Sequence, residues 1–230
     1  MANRPPFAFE EWYHCYTRGV DKRKTFQTQH DFQRFIQILY LANSVDTIQR
    51  SNFLGAKHAE LLQKKRGKPL VAIGAYCLMP NHFHILMQEI NEGGIARFMQ
   101  KVGIAYSMYF NIKNERIGNL FVKPFRSRHI DDDAYLRKVA QYIHLNPLEL
   151  HDPRWESVTP KQIAASTKRL QEYPYSSLPD YVNGDRPERV ILDPEAYELI
   201  ADSMPSFVSL VEEAYVYHRD LGLGNVKITS

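Results

Sequence analysis

The segment from Leu70 to Gln88 constrains the fold more than any other part of the chain. Leu70 to Met79 (LVAIGAYCLM) is a near-continuous apolar run, closed by the turn signal Met79-Pro80-Asn81. The run is too short to span a bilayer, which takes about 20 such residues. His82 to Gln88 (HFHILMQ) follows, short and mostly apolar. Two such runs joined by a tight turn predict a pair of antiparallel strands, the first of them buried.

A buried hairpin needs partners, and the rest of the chain supplies them. Glu11 to Arg18 (EWYHCYTR) is rich in aromatics and reads as a strand. Asp31 to Leu41 has Phe32, Phe35, Ile36 and Leu39 at helical spacing, with Asp31 as a cap or first-turn acid. Ile95 to Ile112 places Ile95, Phe98, Met99, Val102, Ala105, Tyr106 and Tyr109 on one helical stripe. Phe121 to Ile130 reads as an extended, arginine-rich segment. A further helix runs from Ala134 to about Asn146, with Asp131, Asp132 and Asp133 as helix-start acids and Pro147 marking its end. His58 to Arg66 is polar and reads as a helix end or a loop.

After Leu150 the texture changes, with prolines at 153, 160, 174, 179, 187, 194 and 205. This predicts a domain over residues 1–150 followed by a helical and irregular extension over 151–230. Two cysteines, Cys15 and Cys77, stand far apart and outside any CxxC pattern. That disfavours a disulfide framework or a zinc finger and favours a reducing compartment. Met1 to Glu10 carries two prolines and ends acidic, so no secretory leader is expected and the predicted location is the cytoplasm, with no membrane partner.

The net charge of +3 decides little. Local charge says more. Lys113, Arg116, Lys123, Arg126 and Arg128 face the single acid Glu115 within one short stretch, with Phe121 and Phe125 interleaved. Such a stretch suits a phosphate backbone with unstacked bases. It equally suits a solvated turn with two core phenylalanines. Arg126 and Arg128, two apart on an extended segment, share a face, and Arg97 and Lys101 on the preceding helix are further candidates.

His82 and His84 are also two apart, so on a strand both imidazoles point to one face and Phe83 to the other. Two neutral imidazoles make half of a divalent-metal site. They are also compatible with two histidines that have ordinary hydrogen-bond partners. A histidine-triad nucleotide hydrolase would want a third alternating histidine where Leu86 stands, and the two-histidine phosphoesterases would want a second His-x-Ser/Thr motif, which is absent.

Four blocks, in order, carry a family resemblance. Tyr76 to Leu86 (YCLMPNHFHIL) resembles the His-hydrophobe-His block of the single-tyrosine, IS200-like transposases, including those associated with repetitive extragenic palindromes (REP). Gly118-Asn119-Leu120-Phe121 with Phe125-Arg126-Ser127 looks like that group's glycine-to-arginine segment. Tyr135-Leu136 followed by Tyr142-Ile143-His144-Leu145-Asn146-Pro147 resembles its catalytic helix, and Tyr173-Pro174-Tyr175-Ser176-Ser177 is similar to a further block of the palindrome-associated branch.

The resemblance implies an α+β domain of the HUH endonuclease type: a ferredoxin-like central antiparallel sheet with helices packed on it. It implies a Mg²⁺- or Mn²⁺-dependent endonuclease and strand transferase acting on single-stranded DNA near hairpins. Tyr142 matches the nucleophile, and His82, His84 and Asn146 match the metal ligands. Helical spacing is compatible, because Tyr142 and Asn146 lie four apart on one side while Leu136, Val139, Ala140 and Ile143 form the core stripe. Relatives differ in whether they work as homodimers with an exchanged tyrosine or as monomers. Two other outcomes stay open: a silent DNA-binding descendant, and a metal phosphodiesterase that uses water.

Overall fold

The computed structural model describes residues 6–46, 55–150, 160–182, 184–202 and 209. Its centre is a four-stranded sheet of β1 (Trp12–Arg18), β2 (Val71–Met79), β3 (His82–Glu89) and β4 (Arg126–Ile130), in the order β2-β3-β1-β4. All three pairings are antiparallel. Helix α1 (Gln29–Ala42) and the short α2 (His58–Leu62) lie between β1 and β2, and α3 (Gly94–Lys113) lies between β3 and β4. This βαββαβ order with interleaved strands is the ferredoxin-like α+β arrangement that the sequence implied. Helices α4 (Asp133–Leu145), α5 (Pro160–Glu172), α6 (Leu178–Val182) and α7 (Pro194–Ala201) follow.

Strand alternation divides the core in two. Tyr13, Cys15, Tyr76, Leu78, Phe83, Ile85 and Met87 face α1 and α3, meeting Phe35, Ile36, Leu39, Phe98, Val102 and Tyr106. Ala75, Cys77, Met79 and Leu86 face the opposite way and are covered by Leu136, Val139, Ala140 and Ile143 of α4. Burying a side chain such as Phe83 contributes roughly 1.5–3 kcal/mol. That burial holds the register, since a slip of one residue would expel Phe83 and bury both flanking histidines in its place. At Gly74 the β2–β3 register shifts. A Cβ there would stand 2.8 Å from Ile200 Cδ1 and 3.1 Å from the Trp12 ring, so a larger residue at the bulge would have to displace them.

Helix boundaries follow from capping chemistry. The Thr28 side chain accepts from the Asp31 amide while the Asp31 carboxylate accepts from the Thr28 amide, a capping box that starts α1. Asp132 caps α4 by accepting from the Tyr135 amide at 2.7 Å. The region from His58 divides into α2 and a turn, and only Arg126–Ile130 of the expected extended segment pairs as a strand.

The block Tyr173 to Ser177 covers the outer edge of β2. The Leu78 amide donates to the Tyr175 carbonyl and the Ser177 amide to the Tyr76 carbonyl, both at 2.9 Å. The Tyr76 amide donates to Ser177 Oγ at 2.9 Å, and that hydroxyl also lies 2.8 Å from Nε2 of His144 on α4. A sheet edge is thereby paired rather than left open. Residues 151–159, around the expected domain boundary, lie outside the described residues. Among the described residues, no helix is long and apolar enough to cross a membrane.

Candidate active site

Because Phe83 is committed to the α1/α3 side, His82 and His84 emerge on the α4 side of β3. Register then selects their neighbours. On β1, Arg18 lies opposite His82, Tyr16 opposite His84 and His14 opposite Leu86. On β4, Arg126 lies opposite Tyr16 and Arg128 opposite His14. One face therefore carries, from β3 outward, two imidazoles on β3, a third imidazole with a phenol and a guanidinium on β1, and two further guanidiniums on β4.

Helix α4 seats its apolar stripe on β2 and β3, which brings Tyr142 to the histidines. The Tyr142 ring meets His84 edge-on with centroids 5.8 Å apart, and His14 at 6.0 Å. The His82 and His84 rings lie 5.0 Å apart. Asn146, one turn beyond Tyr142 and 2% exposed, donates through Nδ2 to the Tyr142 carbonyl at 2.8 Å. Its amide also interacts with the His82 ring and the Tyr142 side chain, yet its buried Oδ1 meets no donor at hydrogen-bonding geometry. Asn146 thus back-bonds the helix end and keeps a spare oxygen acceptor beside the histidines.

The imidazoles are oriented by their other ring nitrogens. His82 Nδ1 lies 2.7 Å from Asn81 Oδ1, so Nδ1 carries the proton and Nε2 keeps its lone pair. His84 Nδ1 lies 2.8 Å from Nε2 of His14. Burial lowers the His82 pKa to about 4, helped by the Arg18 charge and opposed by Asn146. His84 is pushed well below its ordinary value by burial and then by the neighbouring histidines. His14 is lowered to about 4 by burial and then by Arg128. All three are neutral at pH 7, the state in which an imidazole binds a metal.

The donor set fits a divalent cation. Two neutral imidazoles with ring centroids 5.0 Å apart stand beside one orphaned amide oxygen, and none of the three must be deprotonated first. Among the described residues no group of three or more His, Cys, Asp or Glu side chains could hold a metal, so any third protein ligand here would have to be a neutral oxygen. The Tyr142 phenol is raised above its ordinary range by burial, then by Glu149 and Tyr16, with Asn146 partly offsetting them. It is protonated at neutral pH, and a nearby cation is the kind of group that reverses such a shift.

Sequence reading missed His14, Tyr16 and Arg18. The alternation in Glu11 to Arg18 puts the three on one face. Which face, and opposite which strand, depends on long-range pairing. Among the expected DNA contacts, Arg126 and Arg128 are exposed on the histidine face, with the Arg128 guanidinium carbon 5.1 Å from the Tyr135 ring centroid. Lys123 is exposed just before β4. The α3 group lies elsewhere, because α3 packs on the opposite face. Lys101 Nζ donates to the carbonyls of Ser44 and Asp46 at 2.6 and 3.0 Å. Lys113 pairs with the buried Asp31 at 2.6 Å. Arg97 is exposed on α3, and Arg116 donates to Asn111 at the far end of that helix, beside Arg23 and Lys24. Tyr106 and Tyr109 are on that side too, with hydroxyls donating to the Thr25 carbonyl and to Asp31.

No curated protein matches the chain. A similar solved structure is described as the REP-associated tyrosine transposase bound to a REP hairpin. It shares 13% identity over 80% of this chain and 85% of that one, with a TM-score of 0.48. The family model described as "Transposase IS200 like" matches residues 9–146, from just before β1 to Asn146, and so takes in His14, His82, His84, Tyr142 and Asn146. The chain belongs to the IS200-like transposase family.

Proposed function

We propose that this protein is a metal-dependent single-stranded DNA endonuclease and strand transferase, with Tyr142 as nucleophile and His82, His84 and Asn146 as the protein ligands of Mn²⁺ or Mg²⁺. The observation that carries the reading is the unpartnered Asn146 Oδ1, buried beside two neutral histidines and one turn from a tyrosine on the same helix face. Two imidazoles with one amide oxygen suit Mn²⁺ better than Mg²⁺, which prefers an all-oxygen shell.

When bound, the cation supplies Lewis acidity toward a phosphate oxygen and lowers the cost of ionising the phenol. The protein's own groups do the rest. The Tyr142 hydroxyl attacks phosphorus in line, giving up its proton to water. The P–O3′ bond breaks and the departing O3′ takes up a proton. Tyr142 is left joined to the 5′-phosphate, and attack by a 3′-OH reverses the sequence and rejoins the strand. The covalent link conserves the phosphodiester energy that hydrolysis would discard. Arg126 and Arg128 hold the DNA backbone in this reading, which their exposure on the same face beyond Tyr16 supports. Hairpin DNA as the substrate rests on the resemblance of Tyr173 to Ser177 to the palindrome-associated branch. Tyr142, His82, His84 and Asn146 all come from one chain, so the reading needs no exchanged tyrosine from a homodimer partner. A cytoplasmic location agrees with a chain of only two cysteines, both buried and outside any CxxC pattern.

The test is a single-stranded hairpin oligonucleotide labelled at its 3′ end, incubated with the protein and Mn²⁺ and run on a denaturing protein gel. A labelled protein band that disappears in Tyr142→Phe is the expected result. Cleavage with no adduct would instead identify a water-using phosphodiesterase, and binding without cleavage a silent DNA-binding descendant.

A further inference from the structure

His14 has no place in the donor set, yet it is the residue bonded to His84. It sits on β1, diagonal to His84 across the β1–β3 ladder, at the range that long side chains bridge. The two ring planes are 23° apart with centroids 5.0 Å apart, and His14 Nε2 lies 2.8 Å from His84 Nδ1, so the rings meet edge to edge. His14 is 7% exposed and His84 5%. Tyr16 lies against both rings, 5.0 Å from His14 and 5.6 Å from His84, and Tyr142 meets both edge-on. The pair is held between two phenols, with little room for either imidazole to turn.

We propose that His14 is a positioning residue that accepts the Nδ1 proton of His84, fixing His84 in the tautomer and orientation that leave its Nε2 lone pair aimed at the metal position. This inference rests on the metal reading above and adds a residue to it.

A bond between two neutral imidazoles has one donor and one acceptor. If His84 donates from Nδ1, its Nε2 is a ligand atom. If it accepts at Nδ1, its Nε2 carries a hydrogen and cannot bind a cation. The direction of one 2.8 Å bond therefore decides whether the site exists. Asn81 performs the same task for His82, where the amide oxygen leaves no choice of direction. Metal-bound histidines commonly have such an outer partner, usually a carboxylate or a carbonyl. A neutral imidazole in that place adds no negative charge, so more of the cation's charge remains for phosphate.

The experiment uses the full chain free of metal and DNA. Long-range ¹H–¹⁵N correlation of the histidine rings reads the tautomer of His84 directly, and titration calorimetry reads Mn²⁺ affinity. Wild type is expected to show a protonated Nδ1 and a bare Nε2 on His84. His14→Phe, which fills the space with no acceptor, is expected to mix the His84 tautomers and weaken Mn²⁺ binding about 10- to 100-fold. His14→Gln, whose amide oxygen can accept from Nδ1, is expected to restore both towards wild type. A packing role alone would favour His14→Phe over His14→Gln. A wild-type His84 protonated on Nε2, or a folded His14→Phe with unchanged Mn²⁺ affinity, overturns the proposal. If His14→Phe does not fold, the wild-type tautomer and the His14→Gln affinity still decide. Wild type that binds no Mn²⁺ overturns the metal reading together with this one, whereas wild type that binds it while His14→Phe is indifferent overturns this one alone.

Discussion

Tyr142 meets the ring of His84 edge-on, at 89° and 5.8 Å between centroids, although the two residues sit 58 positions apart and on different elements. This arrangement keeps the phenol beside the imidazole through ring contact, with Asn146 as the polar neighbour of the hydroxyl.

Tyr142→Phe preserves that edge contact and removes only the hydroxyl. Adduct formation is expected to fall to background, while affinity for single-stranded hairpin DNA changes by less than about threefold, roughly 0.6 kcal/mol. Gel detection of the adduct and fluorescence anisotropy check the two halves separately. An adduct that persists would move the nucleophile to another residue.

Asn146 tests the third ligand. Asn146→Ala removes both the amide oxygen and the back-bond to the Tyr142 carbonyl. Mn²⁺ affinity is expected to drop by at least tenfold, and stability by about 1 kcal/mol. Asn146→Asp restores an oxygen ligand and adds a charge, so it should bind Mn²⁺ at least as tightly as wild type. Calorimetry with equilibrium urea unfolding gives both quantities. Equal Mn²⁺ affinity in wild type and Asn146→Ala would remove Asn146 from the site.

Salt dependence separates the two groups of basic residues. Each phosphate contact to single-stranded DNA adds about 0.7 to the slope of log K against log salt. Arg126→Gln and Arg128→Gln should each flatten the slope by roughly that amount. Lys101→Gln should leave it unchanged, because its ammonium already serves the Ser44 and Asp46 carbonyls. Lys113→Gln should also leave the slope alone but cost about 1–3 kcal/mol of stability, since it strips a charge partner from the buried Asp31.

Stability of the metal-free protein should fall as the pH drops below about 6.5. His14 and His82 are lowered to about 4, and His144 to about 3, against an unfolded value near 6.5. Through the window from 6.5 down to 4 the unfolded chain binds more protons than the native one, so acid favours unfolding. Each such histidine is worth up to about 1.4 kcal/mol per pH unit there. Urea unfolding in EDTA at pH 7 and pH 5 measures the difference, and His144→Gln should remove one histidine's share. A flat profile over that window would contradict the neutral, buried histidines.

Local chemistry was sufficient for much of this protein. The apolar run from Leu70 to Met79, its Pro80-Asn81 turn and the alternation of His82, Phe83 and His84 specify a hairpin with two imidazoles on one face, because the strand period is two. The helical stripe of Leu136, Val139, Ala140 and Ile143 likewise sets Tyr142 and Asn146 together on an adjoining side of the helix, because they lie four apart. Short-range periodicity carries no information about which strand lies beside which. Only the pairing of β1 with both β3 and β4 brought His14 to His84 and set Arg126 and Arg128 on the histidine face. The same tertiary packing turned α3 to the other side, where Lys101 and Lys113 serve carbonyls and a buried carboxylate. Spacing along one element is local geometry, whereas register across a sheet is chosen by which side chains the whole core can bury.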